Sequence, residues 1–226
     1  MNQKRRMTDR EMEETRYKIV SSLIGWPGAS GNSLPDVMGL VQVDGHHVEI
    51  GSLFGASALA AAWSKSLGGW EGDIYCIDPM VFDEHEYCVR AEGNKSQKLL
   101  LANQKQLFLD NTKKFPNIKL IQARSDPWPL DENLEIATIF IDGWHYGEGP
   151  ITDARNAVAR AKKAVMLDDI VPEYVDVYKA FKWLCAESGW FISTRGYRTA
   201  CFVPMPKKGV YTERGYVDAE VELETD

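Results

Sequence analysis

The chain has 226 residues, of which 44% are hydrophobic and 26% charged, with a net charge of −7. That length suits one well-buried domain and excludes two ordinary ones. The acidic balance argues against nonspecific binding to nucleic acid or an anionic membrane. No apolar run approaches a membrane span, and the basic start at Lys4, Arg5 and Arg6 leads into charged residues, not the apolar core of a signal peptide. The four cysteines, Cys76, Cys88, Cys185 and Cys201, include no CxxC pair, which suits reduced thiols and predicts a cytoplasmic location.

In chain order, Met1 to about Asp9 reads as frayed, Arg10 to Leu23 as a helix with an uneven apolar face, Gly25 to Pro35 as a loop, and Asp36 to Val41 as a short helix. His46 and His47 precede the first strand and read most simply as surface residues. Val48 to Ile50 is that strand, and a helix begins after Gly55. Ile74 to Ile77 is the second strand, ending at Asp78. Met80 to Asn94, which holds His85, is acidic and irregular, and Gln97 to Lys114 reads as a helix closed by Pro116. Ile118 to Ala123 is a third strand, followed by Arg124, Ser125 and Asp126. Ile136 to Ile141, almost wholly apolar, is a fourth, ending at Asp142. A helix over Asp153 to Lys163, a fifth strand at Ala164 to Leu167, and a helix after Pro172 follow. Trp190 to Thr194 and Thr199 to Val203 form a hairpin, and the tail from Lys207 reads as polar and loose. Strands alternating with helices predict an α/β sheet, parallel except near its last strand, with helices on both faces.

Ligands of such sheets bind beyond the carboxyl ends of the strands. The stretch VEIGSLFGAS, Val48 to Ser57, places Gly51 and Gly55 where strand meets helix, with Glu49 just before them. There the missing Cβ atoms permit a tight turn, and a helix start points unpaired N–H groups at a ligand. Asp78 is placed to take the hydroxyls of a ribose. Asp142, Asp168 and Asp169, from neighbouring strand ends, suit a hard divalent cation, Mg2+ above all. His145, three residues after Asp142, is a candidate general base or ligand. Any one such aspartate is ordinarily a helix cap, but polar residues recur at this edge on each of the first five strands.

These motifs together resemble the class I S-adenosylmethionine-dependent methyltransferases, and within them bacterial metal-dependent O-methyltransferases of small molecules, the macrolide-sugar type among them, whose fourth strand ends in an IDGxHxYE-like motif. The segments EIGSLFGAS, IDP, FIDGWHYGEG and MLDDI carry the likeness over Val48 to Ile170. The resemblance implies a seven-stranded Rossmann-like sheet with an antiparallel last strand. It divides the chain into an N-terminal helical cap (1–45), a cofactor-binding domain (46–206) and a polar tail (207–226). It further implies that Glu49, Gly51, Ser52, Gly55 and Ser57 surround S-adenosylmethionine, with Asp78 on the ribose, Ser125 near the adenine and Asp142 beside the cofactor. Mg2+ would lie on Asp142, Asp168 and Asp169, with His145 as base. The implied partners are a small-molecule acceptor, a sugar or phenol, and a second copy of the chain; nucleic acid and membrane are not expected. An NAD-dependent oxidoreductase and a non-catalytic module of the same fold are the alternatives, although the loop lacks the middle glycine of GxGxxG.

Overall fold

Short apolar runs rich in β-branched residues form the strands. In the computed structural model, which describes residues 4–24, 32–81, 102–196, 198–205, 209–212 and 215–218, they are β1 (His46–Ile50), β2 (Ile74–Ile77), β3 (Ile118–Ile121), β4 (Ile136–Ile141), β5 (Ala164–Leu167), β6 (Trp190–Arg195) and β7 (Ala200–Pro204). They make one seven-stranded sheet in the order β3-β2-β1-β4-β5-β7-β6. Strands β1 to β5 pair in parallel, and β7 runs antiparallel between β5 and β6. This is the mostly parallel α/β sheet that the sequence predicts.

The helices are α1 (Asp9–Ser22), α2 (Leu34–Leu40), α3 (Ala56–Gly68), α4 (Gln104–Thr112), α5 (Gly149–Arg160) and α6 (Val175–Ala186). No helix among the described residues is long and apolar enough to cross a membrane. The first part of the helix predicted from Gln97, most of the loop from Gly25 to Pro35, His85 and Cys88 lie outside the described residues. Helix α5 starts four residues ahead of the predicted Asp153, because Pro150 sits in its first turn, where a missing N–H costs little. The tail, read as loose from its charge, contains a small antiparallel hairpin, β8 (Gly209–Thr212) with β9 (Gly215–Asp218). Val210, Tyr211, Tyr216 and Val217 supply its β propensity.

Both faces of the sheet are covered. On one, Ile19 of α1, Val37 and Met38 of α2 and the alanines Ala58, Ala60 and Ala61 of α3 pack on Ile74, Cys76, Phe140 and Met166. On the other, Ala154 and Ala157 of α5 and Val177, Phe181 and Leu184 of α6 pack on Val48, Ile50, Ile139, Ile141 and Val165. Because side chains alternate along a strand, His47 and Glu49 point into the first layer. His47, expected at the surface, is 1% exposed, and its Nδ1 lies 2.8 Å from Thr138 Oγ1; burial lowers its pKa to about 3. At the amino edge of the sheet the buried Lys65 ammonium donates to the carbonyls of Val43, Gly45 and Glu71 at 2.9, 3.0 and 2.9 Å, tying the entries to β1 and β2 together.

The register sets the opposite edge. Ile50 pairs with both Ile77 and Ile141, and Ile141 pairs with Leu167. The next residues, Gly51, Asp78, Asp142 and Asp168, therefore form one row, and each N–H continues the ladder, to Ile77, Ile121, Ile50 and Ile141 respectively. Strand order reverses between β1 and β4, the switch point at which open α/β sheets bind ligands. Gly51 stands there with φ +83°, and a Cβ on it would fall 2.0 Å from the Asp142 carbonyl oxygen. What its bareness admits is the neighbouring strand end. Gly51→Ala is expected to destabilise the fold by more than ~2 kcal/mol, from strain plus steric overlap. Urea unfolding of the two proteins checks this, and an unchanged midpoint would contradict it.

Candidate active site

The loop from Gly51 to Gly55 is held by one carboxylate. Asp78 Oδ2 accepts from the Ser52 and Leu53 N–H groups at 2.9 and 3.0 Å, while Oδ1 accepts from Met80 N–H at 2.7 Å and Gln104 Nε2 at 3.3 Å. Burial pushes the Asp78 carboxyl above its ordinary range, and these donors pull it part of the way back. Gly55 ends the loop at φ +88°, and α3 starts from it with no side-chain cap. The N-cap residue thus supplies no side-chain acceptor to the first-turn N–H groups of α3. Glu49 lies one layer deeper and is fully buried, accepting from Ser57 Oγ and from Cys76 Sγ at 3.5 Å. Burial raises its pKa from 4.5 to about 7.

Beyond β4 and β5 a second group gathers. His145 Nε2 lies 3.2 Å from Asp169 Oδ2 and 3.8 Å from Asp142 Oδ1. Its ring stacks on Tyr174 with centroids 4.4 Å apart and planes at 12°. Asp169 has φ +55°, a left-handed conformation that aspartate tolerates better than most residues. Its Oδ1 accepts from Arg198 Nη2. Burial would raise the Asp169 carboxyl, but His145 and Arg198 outweigh it and the pKa is lowered. Asp142 moves the other way, to about 6, through burial, partly offset by His145, with the Asp169 charge adding to it. Asp168 rises further, to about 8, through burial and the charges of Asp142 and Asp169.

Asp142, His145 and Asp169 each offer one ligand atom, and these atoms lie within 4.8 Å of one another. Asp168, expected among the metal ligands, is turned to other partners. Its Oδ2 accepts from Ser33 Oγ at 2.8 Å and its Oδ1 from the Asp169 N–H at 2.7 Å. Mg2+ prefers oxygen ligands throughout, whereas the set brought together here includes an imidazole, and one of its carboxylates already carries a guanidinium. These residues fit an internal cation better than a hard divalent ion.

Ser125, expected near the adenine, donates its Oγ to Asp153 Oδ1 at 2.6 Å. Asp153 is 3% exposed and its pKa rises to about 6 through burial, with Ser125 opposing and the Asp126 charge adding. Sequence reasoning had Asp153 open its helix. The earlier start of α5 turns it inward, on the face of Ala154 and Ala157. Ser33 and Arg198 were also missed, since no local signal links them to β5. On either side of His145 in sequence, Trp144 and Tyr146 are 40% and 44% exposed and meet edge to face at 5.7 Å, with Tyr146 likewise against Tyr174 at 6.1 Å.

No protein-family model matches the chain, and no curated protein matches it by sequence. Solved structures do match its backbone. Cofactor-bound Rv0187 from MTB is similar with TM-score 0.54 and 14% identity, over 86% of this chain and 90% of that one. The O-methyltransferase NovP is similar with TM-score 0.53 and 13% identity, over 76% and 79% of the two chains. SAH-bound methyltransferase PaMTH1 of Podospora anserina is similar with TM-score 0.51 and 10% identity, over 91% and 100%. At such identities the likeness concerns the fold alone: the chain has a seven-stranded, mostly parallel Rossmann-like sheet of the kind these structures share.

The raised Glu49 pKa has a stability consequence. A buried carboxyl whose proton is held more tightly in the folded than in the unfolded chain contributes fully below pH ~4.5 and loses that contribution as pH rises through ~7. Asp142, Asp153 and Asp168 are shifted in the same direction. Stability should therefore fall between pH 5 and 7.5, and Glu49→Gln should remove on the order of 2–3 kcal/mol of that fall. Denaturant unfolding of both proteins at the two pH values measures it, and parallel slopes would refute the assignment.

Proposed function

We propose that the protein transfers a methyl group from S-adenosylmethionine to a hydroxyl oxygen of a small molecule. The observation that carries this reading is the row Gly51, Asp78, Asp142, Asp168 at the switch point, flanked by the uncapped start of α3 on one side and His145 between two carboxylates on the other. S-adenosylmethionine, when bound, supplies an electrophilic methyl group on a sulfonium. The α3 N–H groups suit its carboxylate, and Asp78, at the end of β2, suits its ribose by sharing Oδ1. Ser125 and Asp153 offer a hydroxyl and a buried carboxylate toward the base. The acidic edge favours a cationic ligand over the NAD alternative, whose diphosphate would meet Asp78 and Asp142.

His145 is the base. It takes the proton of the acceptor hydroxyl as the oxygen bonds to the methyl carbon and the sulfur–carbon bond breaks, leaving a methyl ether, a thioether and an imidazolium. Asp169 and Asp142 stabilise that imidazolium, and Tyr174 fixes its plane. Most of the rate would come from holding oxygen and methyl in line. The resemblance in sequence implies Mg2+ on Asp142, Asp168 and Asp169, but Asp168 is engaged with Ser33 and Asp169 with Arg198; the proton transfer to His145 needs side chains alone. Trp144 and Tyr146, partly exposed beside His145, suit an acceptor with a sugar or phenolic ring.

Calorimetric titration of S-adenosylhomocysteine tests the reading. The wild type should bind it, Asp78→Asn should bind about tenfold more weakly or worse, and His145→Phe should bind it unchanged. Against a panel of sugars and phenols, His145→Phe should then transfer methyl about 100-fold more slowly than wild type. A wild type that binds no S-adenosylhomocysteine would end this reading, and binding without transfer to any acceptor would favour a non-catalytic module.

A further inference from the structure

Arg198 comes from the turn between β6 and β7, far from the strand ends in sequence, yet its guanidinium donates to Asp169 Oδ1. Its delivery is built, not incidental. The Arg198 carbonyl accepts from the Ile170 N–H at 2.8 Å, directly after Asp169. The turn closes through Gly196 N–H to the Thr199 carbonyl at 2.9 Å, and Thr199 Oγ1 donates to Asp36 Oδ2 of α2 at 2.8 Å. The turn is thus pinned to β5 on one side and to α2 on the other. The Arg198 side chain is 22% exposed, and its Nε is buried with no hydrogen-bond partner among the described residues. A guanidinium so placed is poorly hydrated, always charged and costly to separate from its carboxylate.

Asp169 therefore carries a positive or potentially positive group on each oxygen, Arg198 on Oδ1 and His145 on Oδ2. A divalent ion bound by Asp142, His145 and Asp169 would have to share Asp169 with the guanidinium. Two cations on one carboxylate, partly out of water, repel strongly. It would also consume His145 as a ligand, and a ring nitrogen bound to a metal has no lone pair left to accept a proton. We infer that Arg198 is a specificity-determining residue of this site: the chain's own counter-cation on Asp169, which opposes a divalent ion and keeps His145 available as the base. The assignment builds on the methyltransferase reading of the same edge, but its test uses neither cofactor nor acceptor.

Mn2+ and Mg2+ are titrated calorimetrically into the wild type, Arg198→Met, Arg198→Gln, Arg198→Lys and the double variant Arg198→Met with Asp169→Asn, each checked for folding by circular dichroism. Removing the charge, in Arg198→Met or Arg198→Gln, should tighten Mn2+ binding about tenfold or more. Arg198→Lys, which keeps a cation, should stay close to wild type, and the gain should vanish when Asp169 is also changed. A wild type that binds either ion as tightly as the uncharged variants would overturn the inference, and so would a gain that survives loss of the Asp169 charge. Failure of the methyltransferase reading would register separately, as absent S-adenosylhomocysteine binding, with the metal titrations unaffected.

Discussion

Burying carboxylates side by side is unfavourable, because each loses its hydration and each repels the next. At the carboxyl edge of this sheet Glu49, Asp78, Asp142, Asp168 and Asp169 are brought together by the strand register, and nearly every polar contact around them serves to hold that concentration of charge in place. Ser57 and Cys76 donate to Glu49, loop N–H groups and Gln104 to Asp78, and Ser33 with a backbone N–H to Asp168. Asp169 is balanced by full or latent positive charge on both oxygens, from Arg198 and His145, and Asp142 more weakly by the same His145. The resulting spread of pKa values, Asp168 and Glu49 raised and Asp169 lowered, separates carboxyls that hold protons near neutral pH from one that stays ionised beside the base. Groups of one chemical type pushed apart by their surroundings are a common signature of acid–base sites.

The same edge explains why both faces of the sheet must be closed. Helices α1 and α2 cover the layer into which His47 and Glu49 point, so residues that a half-exposed strand would leave in water are instead fully buried. The N-terminal segment then does more than pack. Ser33 and Asp36, just before and within α2, reach Asp168 and Thr199, so one short segment touches both the end of β5 and the turn that carries Arg198.

Much of this was legible in the sequence where the signal is local. β2, β4 and β5 coincide with the apolar runs Ile74 to Ile77, Ile136 to Ile141 and Ala164 to Leu167, because buried parallel strands are short and apolar throughout. The row of polar residues at their ends followed from the same runs. His47 was misread because a polar residue before an apolar run suggests the surface unless one knows that helices cover both faces. A helix read from Asp153 hides the burial of that residue, which the start at Gly149 produces, and the charge of the tail masks the β propensity of its hairpin. Ser33 and Arg198 carry no local mark at all. Their roles exist only once residues 135 and 29 positions away are folded against them. Asp168 was read correctly as an edge residue, but which way its carboxyl turns depended on Ser33.

The bonds Ser33 to Asp168 and Thr199 to Asp36 span 135 and 163 positions of sequence. Each rests on the sheet between its partners, so such contacts are expected to form after the strand pairs that carry them. A chain can therefore hold its parallel strands in register, with the Asp168 N–H on the ladder, while the Asp168 carboxyl and the turn bearing Arg198 still lack their distant partners. The binding edge, laid out early by strand pairing, becomes chemically defined only when the two outlying segments dock, which makes the order of this edge a sensitive reporter of whether the whole chain has finished folding.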